Sequence, residues 1–152
     1  MNATPLSLVA ALPLVSALAV SPAFAQFQAA PAAHAQKSPA TSAAASAQAY
    51  KKDGARHLYS AYAKHIHKGK MPPLLYGIAI IETTIGPQGE VQDVRIVRQP
   101  AAGEVAPWAV NMIKAAAPFP APAKLGSVTY SDIWLVDKSG RFQLDTLTEG
   151  QR

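Results

Sequence analysis

The chain has 152 residues, 49% of them hydrophobic, with fourteen Lys and Arg against nine Asp and Glu, a formal net charge of +5 and no cysteine. A length of this order suits one folded domain with extensions rather than two separate cores. The missing thiols exclude a disulfide framework, a thiolate nucleophile and any Cys-ligated zinc or iron-sulfur centre, so packing alone must hold the fold.

Residues 4–25 are a run of Leu, Val, Ala, Ser and Pro that ends in Ala23-Phe24-Ala25 before Gln26. An apolar core followed by a small-x-small site reads as an export signal cut after Ala25, which would place the mature chain in the periplasm or outside the cell. The alternative is an uncut N-terminal membrane anchor, against which stand Pro5, Pro13 and Pro22 and the absence of a basic stop. Residues 26–49, rich in Ala, Pro, Ser and Gln, have no apolar face large enough to offset their ordering entropy and read as a linker. Residues 50–147 are the expected folded domain, and 148–152 a frayed polar tail.

From Lys52 to Lys68 the residues Ala55, Leu58, Tyr59, Tyr62, Ala63 and Ile66 trace one stripe of a 3.6-residue helix, with His57, Lys64 and Lys68 off it. Gly69 and Pro72-Pro73 are the expected stop. The charge excess sits on this element: Lys51, Lys52, Arg56, Lys64, Lys68 and Lys70 face only Asp53, which accounts for the whole +5. In an exported chain the counterpart of such a stretch is an anionic envelope surface rather than nucleic acid, and Arg56, Lys64 and Lys68 are the candidate contacts; the plainer reading is a solvated helix face.

Tyr76 to Ile85 is a strand of branched residues, with Ile81, Thr83 and Ile85 on one face and Ile78, Ile80, Glu82 and Thr84 on the other. Its start is apolar on both faces, which predicts cover by the helices on one side and by the N-terminal helix or a partner on the other. Gly86-Pro87-Gln88-Gly89 is a turn. In the return strand the three-residue step from Val91 to Val94 breaks the period of two and predicts a bulge. A second helix opens near Glu104 to Pro107, with Val105, Trp108, Ala109, Met112 and Ala116 as its stripe, and stops by Pro118. Val128, Tyr130, Trp134 and Val136 alternate with Thr129, Ser131, Ile133 and Leu135 along a last long strand. Asp137-Lys138-Ser139-Gly140 turns it, and Phe142 and Leu144 return along Trp134 and Val136.

Chemistry is sparse in this pattern. No nucleophile elbow, phosphate-cradling Gly-rich loop, His-Glu-x-x-His pair or calcium loop is present, so no catalytic residue, metal site or cofactor is expected. His65 and His67, two apart on a helix, diverge too far to share an ion. Glu82, Glu90, Asp93 and Asp132 are scattered; Asp132, on the face of Tyr130 and Trp134, is expected at an open sheet face beside a Lys or Arg.

The order strand, turn, strand, helix, proline-rich crossing, strand and hairpin resembles the C-terminal domain of the TonB energy-transducer family. The likeness is carried by YGIAIIETTIGPQGEVQDVRIVR, WAVNMIKAAAPFPAP and SVTYSDIWLVDKSGRFQL. It implies an α+β fold, a small antiparallel sheet of about three strands plus a short C-terminal hairpin strand, packed with two helices. It also implies a non-enzymatic periplasmic module that binds an outer-membrane transporter or other envelope protein by adding a strand to an open sheet edge. The expected edge is Ser127 to Val136 or Arg141 to Asp145, with Ser127, Thr129, Ser131, Ile133 and Leu135, or Arg141, Gln143 and Asp145, as the contact residues. The short linker and the cleavable apolar run depart from a membrane-held transducer. The alternative is a structural envelope protein that uses the basic helix instead.

Overall fold

A computed structural model describes residues 26–33 and 41–148. The expected export signal, part of the expected linker and residues 149–152 lie outside that range. The described residues fold as helix α1 (Ala47–Ala61), strands β1 (Gly77–Ile85) and β2 (Val91–Arg98), helix α2 (Val105–Ala115), and strands β3 (Val128–Val136) and β4 (Phe142–Leu144). Short 3-10 turns occupy Ala63–His65 and Asp145–Leu147. The fold is α+β, with one antiparallel sheet in the order β2-β1-β3-β4.

Both helices lie on one face of that sheet. Gly54 of α1 stands against the Tyr130 ring and Gly77 of β1 against Val105 of α2. Burial follows the strand period of two: Gly77, Ala79, Ile81, Thr83 and Ile85 are buried under the helices, and so are Val128, Tyr130, Asp132, Trp134 and Val136. The opposite face is not covered by either helix, so the N-terminal helix does not supply the second cover expected for β1. Ile78 and Ile80 pair there with Leu135 and Ile133 and stay half-buried.

The turn after β1 must be tight because the crossing to β3 runs beside it. Gly89 has φ +86°, and a Cβ there would lie 1.9 Å from the Phe119 carbonyl oxygen. Phe119 N–H donates to Gly89 O at 2.7 Å, which fixes the crossing against the turn. The expected bulge is present: Ile85 pairs with Val91 but Thr84 with Asp93, so Gln92 is the extra residue. A second shift sets Ile81 against Ile96 and Ile80 against Arg98, which makes Val97 extra as well.

The core gathers around β3 and β4. The Trp134 and Phe142 rings stack at 4.6 Å, and Trp108 meets both edge-on at 6.5 and 6.2 Å. Phe27, inside the segment read as linker, is buried; it stacks on Tyr76 at 5.1 Å and meets the Trp108 edge at 5.3 Å.

Helix α1 differs from its expected limits at both ends. It begins at Ala47, where Ser46 Oγ accepts from Ala49 N–H as an N-cap, not at Lys52. It ends at Tyr62 rather than at Gly69, because the next residues are drawn along β4: Ile66 bridges to Phe142 and His67 N–H donates to Phe142 O. Its buried line runs Tyr50, Gly54, His57, Leu58 and Ala61, so His57 lies inside the stripe and Tyr59 at its margin.

Candidate functional site

The sheet presents three stretches of strand edge, and they differ in how far their main-chain groups are already used. In an antiparallel ladder successive residues turn their N–H and C=O alternately to the two neighbours. Val136 O accepts from Tyr76 N–H on the β1 side, whereas Asp137 N–H donates to Arg141 O on the β4 side. Even-numbered β3 residues therefore face β1, and Leu135, Ile133, Ser131, Thr129 and Ser127 face the other way.

Strand β3 pairs with β1 at nine positions, Val128 to Val136, but with β4 at only three, Trp134 to Val136. Beyond Trp134 no strand lies on its outer side among the described residues. Ser127 N–H is used by Leu125 O at 2.8 Å and Ile133 N–H by the Asp132 carboxylate at 2.9 Å. That leaves the N–H and C=O of Thr129 and Ser131, and the C=O of Ile133, directed to an edge that carries no bulge and no charged side chain outward. Thr129 and Ser131 are exposed.

The β4 edge is closed. Its outward groups belong to Phe142 and Leu144: Phe142 O accepts from His67 N–H at 3.0 Å, and Leu144 N–H donates to the Tyr59 hydroxyl at 3.0 Å. Gln143, an expected contact residue, instead faces β3 and is 2% exposed, its amide donating to His67 O at 2.8 Å and Gly69 O at 2.6 Å. Asp145 opens the last 3-10 turn, and Arg141 is exposed beside Lys64 and Lys68.

The β2 edge is long but managed. Its two bulges, at Gln92 and Val97, twist it, and Asp93, Arg95 and Arg98 charge it. Arg95 also spans to Glu82 at 2.7 Å on the outer face. Glu90 is tied into its turn by Gln88 N–H at 2.9 Å.

Behind the open stretch lies Asp132, on the helix-covered face rather than the open one. The reason is register: it sits between Tyr130 and Trp134 in the alternation and faces α1. It is 4% exposed, Lys51 Nζ approaches its Oδ1 at 3.7 Å and Thr146 Oγ1 donates to the same atom at 3.0 Å, while Oδ2 has no hydrogen-bond partner. Burial pushes its pKa above the ordinary carboxylate value, and Lys51, Ile133 N–H and Thr146 only partly offset that. The Thr146 bond lays the C-terminal 3-10 turn beside β3 just past the point where β4 ends.

The candidate surface cations separate. Arg56 is held by Asp53 at 3.2 Å, whereas Lys64 and Lys68 make no ion pair among the described residues. His57 is buried, its Nε2 2.7 Å from Ala116 O, and burial lowers its pKa although that bond raises it. His67 Nδ1 meets Asp137 Oδ2 at 2.7 Å. Among the described residues no three His, Cys, Asp or Glu converge on a metal-sized site, and no helix is long and apolar enough to cross a membrane.

Polar residues were the ones hardest to place from the pattern. His57 lies in the buried stripe, not off it as its polarity suggests, because its spacing from Tyr50, Gly54 and Ala61 follows the helical period. Comparison with known proteins found no matching family model, no matching curated protein and no matching solved structure.

Proposed function

We propose that this domain is a non-enzymatic, TonB-like binding module of the cell envelope that takes an extended segment of a partner protein as an added strand along Thr129 and Ser131. One observation carries the reading: β3 is paired along its full length on one side and along only three residues on the other. Strand addition draws its affinity from main-chain hydrogen bonds, and an edge free of bulges and charges supplies them in regular spacing. The bulged, charged β2 edge and the occupied β4 edge do not. The partner in this reading is an envelope protein, by the resemblance an outer-membrane transporter, met by an exported chain.

A photocrosslinking residue at Thr129 of the full chain, irradiated in expressing cells, tests it. An adduct with an envelope protein is expected. It should vanish with Ser131→Pro, which removes an outward N–H, and persist with Gln92→Pro at the β2 bulge, a place where proline is tolerated. An adduct indifferent to Ser131→Pro, in a variant with the wild-type circular dichroism, rules out strand addition at β3.

A further inference from the structure

A concavity of about 590 Å³ opens between the turn after α1 and the β3–β4 hairpin, lined by Ala63, Lys64, Ile66, His67, Lys68 and Arg141. Half of its lining residues are permanent cations and none is an acid. Asp137, which touches His67 in this wall, is already saturated: Oδ2 takes His67 Nδ1, and Oδ1 takes Ser139 N–H, Ser139 Oγ and Arg141 N–H. Lys51, Arg56 and Arg95 each have a carboxylate within ion-pair distance; Lys64, Lys68 and Arg141 have none among the described residues.

Lys64 and Lys68 lie four residues apart in the segment after α1, whereas Arg141 comes from the distant β3–β4 hairpin, so its convergence with them is a product of the fold. The Ile66–Phe142 bridge, the His67 N–H bond to Phe142 O and the Gln143 amide bonds to His67 O and Gly69 O fasten the 66–69 strand-like stretch to β4. Like charges held in one concavity repel one another and raise the local concentration of anions. An arginine fork with two point-charge ammonium groups suits an oxyanion of more than one negative charge, and phosphate oxygens match that set better than a single carboxylate. The volume falls in the usual range for small-molecule sites, and Ala63 and Ile66 offer an apolar wall to the carbon that carries the anion.

We propose that this cavity binds a phosphate group of at least two negative charges, borne by a small soluble molecule or by a lipid headgroup, with Lys64, Lys68 and Arg141 as its cations. The site is separate from the β3 edge and stands whether or not strand addition occurs there.

The full chain is titrated with inorganic pyrophosphate by calorimetry at low ionic strength, and in parallel floated with mixed phosphatidylcholine–phosphatidic acid vesicles. Binding of at least one probe is expected. Arg141→Gln and Lys64→Gln should each weaken it roughly tenfold, as loss of a charged hydrogen bond does. Lys52→Gln, which removes one charge from an exposed position of α1, should change it less than about twofold. Pyrophosphate binding marks a soluble phosphate, and vesicle binding without it marks a headgroup; either supports the site. Lys64 and Arg141 are both exposed, so two independent variants guard against misfolding of one. Binding of neither probe, or equal weakening by Lys52→Gln and Arg141→Gln, overturns the proposal, the latter because only net charge would then be at work.

Discussion

Trp134 is the largest of the fully buried side chains among the described residues. It is 1% exposed, stacked on Phe142 and crossed by Trp108. Trp134→Ala should cost about 3 to 5 kcal/mol in a urea melt, since the lost transfer energy is joined by a cavity that neighbouring rings cannot fill. Two buried titratable groups act on stability in opposite directions with pH. His57 has a lowered pKa, so its contribution is present above the unfolded value of 6.5 and lost as pH falls through the folded one. Asp132 has a raised pKa, so its contribution is fullest below 3.8 and lost as pH rises through the folded value. The stability difference between wild type and His57→Gln should therefore fall between pH 7.5 and pH 5, while that between wild type and Asp132→Asn should grow as pH falls toward 4. Parallel stability curves for wild type and either variant would contradict the burial argument for that residue.

At the scale of elements, the same substitution should have opposite meanings on adjacent strands. Gln143→Pro deletes an N–H directed at β3 and two side-chain bonds to the 67–69 backbone, and should cost about 2 to 4 kcal/mol. Ser131→Pro deletes an N–H directed at no strand and should cost less than about 1 kcal/mol. Chemical denaturation of the two variants checks the parity of both strands at once. The strands were legible in the sequence because their faces differ in hydrophobicity, and the Gln92 bulge showed as a break in that alternation. The end of α1 was not legible. The residues after Tyr62 continue a helical pattern of apolar positions, but their backbone is drawn into contact with β4, a non-local competitor that no window of sequence contains. The open stretch of β3 was visible only as one of two alternatives, because which hairpin strand closes an edge depends on what the 66–69 segment covers.

At the scale of the whole molecule, the boundary between linker and domain lies elsewhere than composition suggests. A single aromatic, Phe27, in a stretch of Ala and Pro docks between Tyr76 and Trp108, and Gln26 donates its side-chain amide to Lys138 O in the β3–β4 turn. Composition averages over a window and so dilutes one anchoring side chain, although one buried aromatic is worth several weak contacts. Residues 26–33 form no helix or strand and are held to the rest of the described fold by the Phe27 ring, the Gln26 amide and the packing of Ala30 and Ala33, so losing the ring, the largest of these contacts, lets the segment leave without opening a rigid cavity. Phe27→Ala should accordingly cost about 1.5 to 3 kcal/mol, the transfer term alone, and not the larger figure expected of Trp134. Deletion of residues up to 33 should cost no more than the point substitution. If the deletion proves much more destabilising than Phe27→Ala, the segment contributes through more than its one ring; if neither variant shifts the urea midpoint, Phe27 is not anchored in solution.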